Sequence, residues 1–256
     1  MMDTATYVRP LLAHRRDSAH TIQVQRGLFG ATSARLRQDI TSPVRTSKMD
    51  IAAADGIYVG QCTYDSVMQR IYDIPLRASQ SYNYSCLNFA LLMDAEQRAT
   101  STPHRQWCRT NLWAPMGMTT MCYRPLDEHP RSQIAPTEKD TYLRRQTVWG
   151  YVHDEMADFS GGVQGNAGLF ANADDLAKMC QMWLNGGVYG GDRILSERTV
   201  KLFTTDQSPT CRRGLGFDKP DTTNPDNSPT CNEATAETFG HLGFTGTVFW
   251  VDPAND

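Results

Sequence analysis

The 256-residue sequence predicts an α+β fold, on three observations. Helix-forming segments dominate the stretch from residue 64 to residue 203. Apolar, β-branched and aromatic strand sequence arrives late, between Phe239 and Trp250. Strand and helix do not alternate as they do around a parallel sheet. A hydrophobic content of 40% is enough for a sizeable core, and the chain reads as one domain over residues 1–256.

The first sixty residues give few signals beyond Leu11-Leu12-Ala13-His14-Arg15-Arg16, which reads as the end of a short helix. A helix is predicted from Tyr64 to Tyr72, stopped by Pro75. A second is predicted from Ser85 to Gln97, where Leu87, Ala90, Leu91 and Ala95 share a face that should be buried. A third runs from Pro103 to Trp113, with proline tolerated in its first turn, and Pro115-Met116-Gly117-Met118 closes it. Pro125, Pro130 and Pro136 then predict a surface loop from Cys122 to Glu138.

The strongest helix signal is Ala173–Leu184. Asn172 suits the N-cap, Asp174 and Asp175 favour the positive end of the dipole, and Gly186-Gly187 supplies the stop. Leu176, Met179, Cys180, Trp183 and Leu184 fall on one helical stripe and read as core. Ser196 caps a further helix through Phe203. Residues 206–238 read as an exposed excursion with a short strand at Gly214-Leu215-Gly216-Phe217.

The composition excludes several functions. A formal net charge of −3 gives no reason to expect nucleic acid or an anionic membrane as partner, and no apolar run is long enough to span a bilayer. The first residues carry no basic segment followed by an apolar core. Seven widely spaced cysteines without a Cys-x-x-Cys pair argue for free, mostly buried thiols over a disulfide framework or zinc site. Phosphate-loop, dinucleotide, His-Glu-x-x-His and Gly-x-Ser-x-Gly patterns are all missing, so no cofactor or metal is implied. His153-Asp154-Glu155 reads as solvated loop or local hydrogen bonding, since three adjacent residues point in different directions and no second histidine lies at i+4.

Two glycine-rich stretches remain. Four glycines between Gly161 and Gly168 imply a tight turn packed against a neighbouring element. Gly240-His241-Leu242-Gly243 opens a strand whose backbone can approach a ligand closely and donate N–H groups to a substrate or oxyanion. A glycine-rich surface strand remains the alternative.

Together with these stretches, Tyr84-Ser85-Cys86-Leu87-Asn88-Phe89, Gly150-Tyr151-Val152-His153-Asp154 and Arg213-Gly214-Leu215-Gly216-Phe217 resemble, in order and spacing, the serine β-lactamase-related family of class C β-lactamases, DD-peptidases and esterases. The resemblance covers most of the chain and looks nearest to domains attached to family-3 glycoside hydrolases in Bacteroidetes-type bacteria. It implies a β-lactamase/transpeptidase-like fold, with a helical region and a partial antiparallel sheet. It also implies acyl transfer to serine and hydrolysis of an ester or amide in a small-molecule or peptidoglycan-like substrate. Export to the periplasm or beyond, and fusion to a glycoside hydrolase domain, follow from the same likeness.

The family uses a Ser-x-x-Lys, a Tyr-x-Asn and a Lys- or His-x-Gly on an edge strand. By resemblance Tyr84 is the acid/base tyrosine, His241 opens the strand motif, and the backbone N–H of Phe244 donates to the oxyanion. Cys86, Leu242, Gly243 and Phe244 then line the substrate. Cys86 stands where the family carries a polar Asn or Asp, and Leu242 where it carries a hydroxyl residue. Both departures weaken the case for β-lactam binding and leave esterase or peptidase chemistry in place.

No serine is followed three residues later by lysine; Ser42-Pro43-Val44-Arg45 is the nearest imitation, and its arginine does not deprotonate usefully. The expectation is a chain truncated at both ends, with the nucleophile before Met1 and a closing strand and helix after Asp256, and inactive as it stands. A non-catalytic binding or regulatory module is the alternative. Glycoside hydrolysis by Asp154 and Glu155 is a weaker one, since adjacent carboxylates give no facing pair.

Overall fold

The computed structural model describes residues 40–74, 84–141, 143–207 and 211–255. The expected helix end at 11–16 and the stop at Pro75 lie outside these residues. Contacts divide the chain into two compact units, one including residues 40–106 and 122–170, the other including residues 107–121 and 171–255.

In the first unit, strands β1 (Ile51–Ala54) and β2 (Ile57–Val59) form a hairpin around Asp55-Gly56. Helix α1 follows at Gln61–Tyr72, three residues earlier than its predicted start. Thr63 explains the difference: it is buried, its hydroxyl donates to the Ile40 carbonyl, and it accepts the Gly60 N–H at 3.3 Å. Helix α2 spans Leu87–Thr100, and the buried Ser85 hydroxyl accepts the Leu87 N–H at 3.3 Å. Its buried face is Leu87, Asn88, Ala90 and Met93, whereas Ala95 is exposed, contrary to expectation. Helix α3, at His104–Cys108, runs on as a π-helical turn over Arg109–Trp113.

The predicted loop at 122–138 is corrected. Cys122–Tyr123 is a buried strand, β3, paired with β6 at Leu169–Phe170. Pro125 and Pro130 start short 3-10 turns instead of open loop. Pro136 opens strand β4 (Pro136–Asp140), which pairs with β5 (Gln146–Trp149). Proline at the first position of a strand in a two-stranded ladder withholds no ladder donor that the neighbour needs. Helix α4 (Glu155–Phe159) is N-capped by Asp154, whose carboxylate accepts the Ala157 N–H at 2.8 Å. Val67 and Ile71 of α1, Leu87 and Ala90 of α2, and Met156 and Phe159 of α4 are fully buried in one core.

In the second unit, helix α5 occupies Ala173–Leu184 as predicted, with the Asn172 side chain accepting the Asp175 N–H at 2.8 Å. Its apolar stripe is only half-buried; the buried residues are Asp175 and Met182. Strands β7 (Val188–Tyr189) and β8 (Asp192–Arg193) form a hairpin over Gly190-Gly191. Helix α6 covers Glu197–Thr204 with Ser196 as its cap. Gly214–Phe217 is not the expected strand but a bend, followed by a single bridge between Asp218 and Gly240. Residues 214, 215 and 218–220 are buried, so the excursion returns to the core before it ends. Strands β9 (Phe239–Leu242) and β10 (Val248–Val251) close the chain as an antiparallel hairpin. Trp183, Phe217 and Phe239 pack edge-to-face at 4.9–6.2 Å, joining α5 to this hairpin. Among the described residues the sheet structure is five two-stranded antiparallel ladders.

Candidate functional site

The sequence-predicted residues fall into two sets, one in each unit. In the first unit, Cys86 sits at the N-cap of α2 and Tyr84 lies just before it, 41% exposed. The Cys86 thiol is within hydrogen-bonding reach of both the Tyr84 and the Asn166 side chains. Burial pushes the thiol pKa up, and Asp154 adds to the rise against those two hydrogen bonds. Cys86 is therefore a protonated thiol at neutral pH and not a replacement nucleophile.

Asn166 comes from the glycine-rich segment, and Gly165 fixes it there. A Cβ on Gly165 would lie 2.1 Å from the Phe89 carbonyl oxygen, so the loop backbone rests directly on the first turn of α2. Gly168 has φ +111°, and a Cβ there would meet the Gly162 carbonyl at 2.8 Å. The expected tight turn against a neighbour is thus a turn against α2 and against itself.

Arg144 is the most heavily bonded buried side chain described in this unit. It is buried; Nε donates to Asp140 at 2.7 Å, Nη1 to Asp158 at 2.9 Å and the Val152 carbonyl at 2.8 Å, and Nη2 to the His153 carbonyl at 2.7 Å. Complete burial pushes the Asp158 carboxyl up, opposed by the Arg144 charge. His153 pairs with Glu138 at 2.8 Å and Asp154 caps α4, so the triplet His153-Asp154-Glu155 is local architecture. No group of three or more His, Cys, Asp or Glu side chains suited to a metal occurs among the described residues. A cavity of about 180 Å³ in this unit is lined by Arg45, Arg124, Gly150, Tyr151 and Asp158 among others, and does not include Tyr84 or Cys86.

In the second unit, His241 pairs with Phe249 across the β9–β10 hairpin, and the Gly243 N–H donates to the Thr247 carbonyl at 2.6 Å. Ladder alternation therefore turns the backbone groups of Gly240 and Leu242 to the opposite edge. Asp218 exchanges two hydrogen bonds with Gly240 there, at 2.8 and 3.0 Å. One step beyond, the Leu242 carbonyl accepts His241 Nδ1–H at 2.7 Å. His241 Nε2 then accepts from Arg213 Nη1 at 3.1 Å, which assigns the neutral Nδ1–H tautomer. Burial lowers the His241 pKa, and the Arg213 charge lowers it further.

Arg213 is itself held by Asp218 at 2.8 Å, and Arg212 reaches the same carboxylate at 2.8 and 3.2 Å. Asp221 lies 3.9 Å from Arg212 Nη1, so two guanidiniums face two carboxylates beside the hairpin. Gly243-Phe244-Thr245-Gly246 is a β-turn closed by the Gly246 N–H on the Gly243 carbonyl at 3.0 Å. Phe244 sits at its tip, 90% exposed, and Leu242 is 49% exposed.

Sequence reasoning missed two functional candidates, Asn166 and Arg213. Both stand inside quoted motifs, Asn166 directly after Gly165 and Arg213 directly before Gly214. A polar side chain beside an obligatory glycine was the available signal in each case.

Comparison with known proteins places the chain in a family. The family profile described as Beta-lactamase matches residues 32–256. A protein of Escherichia coli (strain K12) named "Putative D-alanyl-D-alanine carboxypeptidase" is 37% identical over 185 residues, covering 67% of this chain and 42% of its own length. The chain thus spans less than half of that relative. Among solved structures, D-amino acid amidase from Ochrobactrum anthropi SV3 superposes with a TM-score of 0.50 at 14% identity, over 82% of this chain and 52% of that one. Simvastatin synthase from Aspergillus terreus gives 0.51 at 16% identity, over 75% and 53%. At such identities the likeness is one of fold. With the profile match running through the Tyr84 helix, the glycine loop and the His241 strand alike, the chain belongs to the β-lactamase family of serine hydrolases.

Proposed function

We propose that this chain provides the substrate-binding body of a serine acyl hydrolase acting on peptides that end in D-alanyl-D-alanine. The observation that carries the reading is the Tyr84–Cys86–Asn166 cluster at the head of α2, in a chain 37% identical to the carboxypeptidase-named relative. In the reaction, a serine Oγ attacks the carbonyl of the terminal peptide bond, the C–N bond breaks, and the leaving amine takes a proton as D-alanine departs. Water then cleaves the acyl-serine ester. Tyr84 returns the proton to the leaving nitrogen.

Because no Ser-x-x-Lys occurs in these residues, the chain by itself binds such peptides without turning them over. Export to the peptidoglycan compartment belongs to the same reading. Calorimetric titration with an acyl-D-Ala-D-Ala peptide, with D-alanine release followed in parallel, tests it. Binding without release is expected; absence of binding sinks the substrate assignment, and steady release sinks the claim of inactivity.

The second reading, a binding module with a degenerate site, is favoured by Cys86 and Leu242 standing where the family carries polar groups. The genomic reading frame upstream of Met1 separates the two. A Ser-x-x-Lys there supports the hydrolase; a frame without one supports the module. The same frame and its downstream continuation show whether a glycoside hydrolase domain is attached.

A further inference from the structure

The head of α2 holds more polar atoms than its own fold uses. The Asn88 side chain is 0% exposed, and neither its Oδ1 nor its Nδ2 has a partner among the described residues. The Asn166 Oδ1 is also buried without a partner there. Gln164, two residues before Asn166, behaves differently. Its Nε2 donates to Ser160 Oγ at 3.3 Å and its Oε1 accepts the Gly165 N–H at 3.1 Å, so both ends of that amide serve the loop. A buried carbonyl oxygen without a donor is left desolvated and unpaired, and such an atom in a native protein calls for a ligand or water.

The Asn166 carboxamide is fixed at both ends of its attachment. Gly165 cannot move off the Phe89 carbonyl without opening the turn, and the carboxamide meets Cys86 Sγ. Its Oδ1 is an acceptor left over, since an amide oxygen carries two lone pairs and donates nothing. The Tyr84 hydroxyl contacts the same sulfur, so acceptor and proton donor are separated by one thiol.

We infer that Asn166 Oδ1 accepts the N–H of the terminal peptide bond of the substrate, supplying beside Tyr84 the amide contact that Cys86 does not carry. The inference rests on the substrate reading above and extends it to a residue for which that reading has no use. Holding the N–H turns the nitrogen lone pair away from Asn166, toward the side from which Tyr84 delivers its proton as the C–N bond breaks. Asn166 binds the reacting nitrogen and exchanges no proton itself.

The test uses the whole chain and two ligands. One is an acyl-D-Ala-D-Ala peptide; the other is the matching depsipeptide ending in D-lactate, in which an ester oxygen replaces the last N–H. The unaltered chain is expected to bind the peptide about tenfold more tightly, the size of one hydrogen bond to an otherwise unpaired buried acceptor. Asn166→Leu should bring the peptide down to the depsipeptide's affinity, and Asn166→Asp, which keeps an acceptor, should retain the preference. Asn166→Ala replaces the leucine variant if its thermal melt shows that it does not fold. Equal affinities in the unaltered chain, or a preference that survives Asn166→Leu, overturn the Asn166 assignment alone. Binding of neither ligand overturns it together with the substrate reading.

Discussion

Arg144 and the amides at the head of α2 are both buried polar groups in the same unit, yet they are built in opposite ways. Arg144 engages Nε and both Nη nitrogens with two carboxylates and two carbonyls. Asn88 and Asn166 together leave three amide atoms without partners among the described residues. A buried polar group whose bonds are all made is holding the chain in place, whereas one whose bonds are unmade costs stability until something else binds it. The contrast separates a group that holds this unit together from groups left to receive a partner, and four substitutions put it at risk.

The largest effect is expected at Arg144. Arg144→Met removes the shared cation from two buried carboxylates and should cost about 3–5 kcal/mol in a urea melt, the range for breaking a buried pair from one side. A loss below 1 kcal/mol would mean that Asp140 and Asp158 are hydrated in solution and that Arg144 does not hold this unit together.

The same rule should hold in the other unit. Asp175 accepts the Thr120 N–H at 2.6 Å, the Thr120 hydroxyl at 2.7 Å and the Met121 N–H at 3.1 Å, and pairs with Lys178 at 2.9 Å. Burial alone would raise its pKa, but these donors outweigh it and hold the carboxyl down to about 2. Asp175→Asn should therefore cost about 1.5–3 kcal/mol at pH 7. The native carboxyl binds its proton at lower pH than the unfolded one, so the aspartate's advantage is full above the model-peptide value of 3.8 and fades as pH falls toward 2. Melts of both proteins across that window should converge; a constant gap would place the stabilisation elsewhere.

Asn88 predicts the opposite sign. Asn88→Leu removes an amide that is desolvated for no hydrogen bond, and should raise stability by about 1–2 kcal/mol. A destabilised variant would show that the amide is bonded in solution, by water or by residues outside those described, and would erase the contrast with Arg144.

What was legible in the sequence follows from how local its causes are. Helix α5 was readable to the residue because Asn172, Asp174 and Gly186 act within one turn of its ends. The strand sequence between Phe239 and Trp250 was legible as one strand but is a hairpin, and of the seven thiols expected to be mostly buried only Cys108 and Cys122 are. The β1–β2 hairpin was missed although Asp55-Gly56 is a strong turn pair, and β7–β8 although Gly190-Gly191 marks it; each strand is too short for periodicity to register. The 122–138 segment misled because prolines start turns and edge strands as readily as they mark open loops. Tyr84 and Cys86 were candidates only through the family resemblance, whereas the glycines around His241 marked its strand on their own. Asn166 and Arg213 depend on tertiary contact with Cys86 and His241, which no window along the chain reveals.

The smallest effect is expected in the second unit, at Arg213. Arg213→Gln leaves Asp218 its pair with Arg212, so the expected loss of stability is about 1 kcal/mol or less. The informative readout is His241. Its pKa lies below the ordinary histidine value, burial first and the guanidinium second, so the unfolded chain binds the proton more readily and acid destabilises the fold. Removing the guanidinium should move the His241 pKa up toward its ordinary value, by NMR titration of the ring protons, and should soften the fall in melting temperature below about pH 6.5. An unchanged titration would mean that Arg213 does not face Nε2. The neutral tautomer would then rest on the Leu242 carbonyl alone.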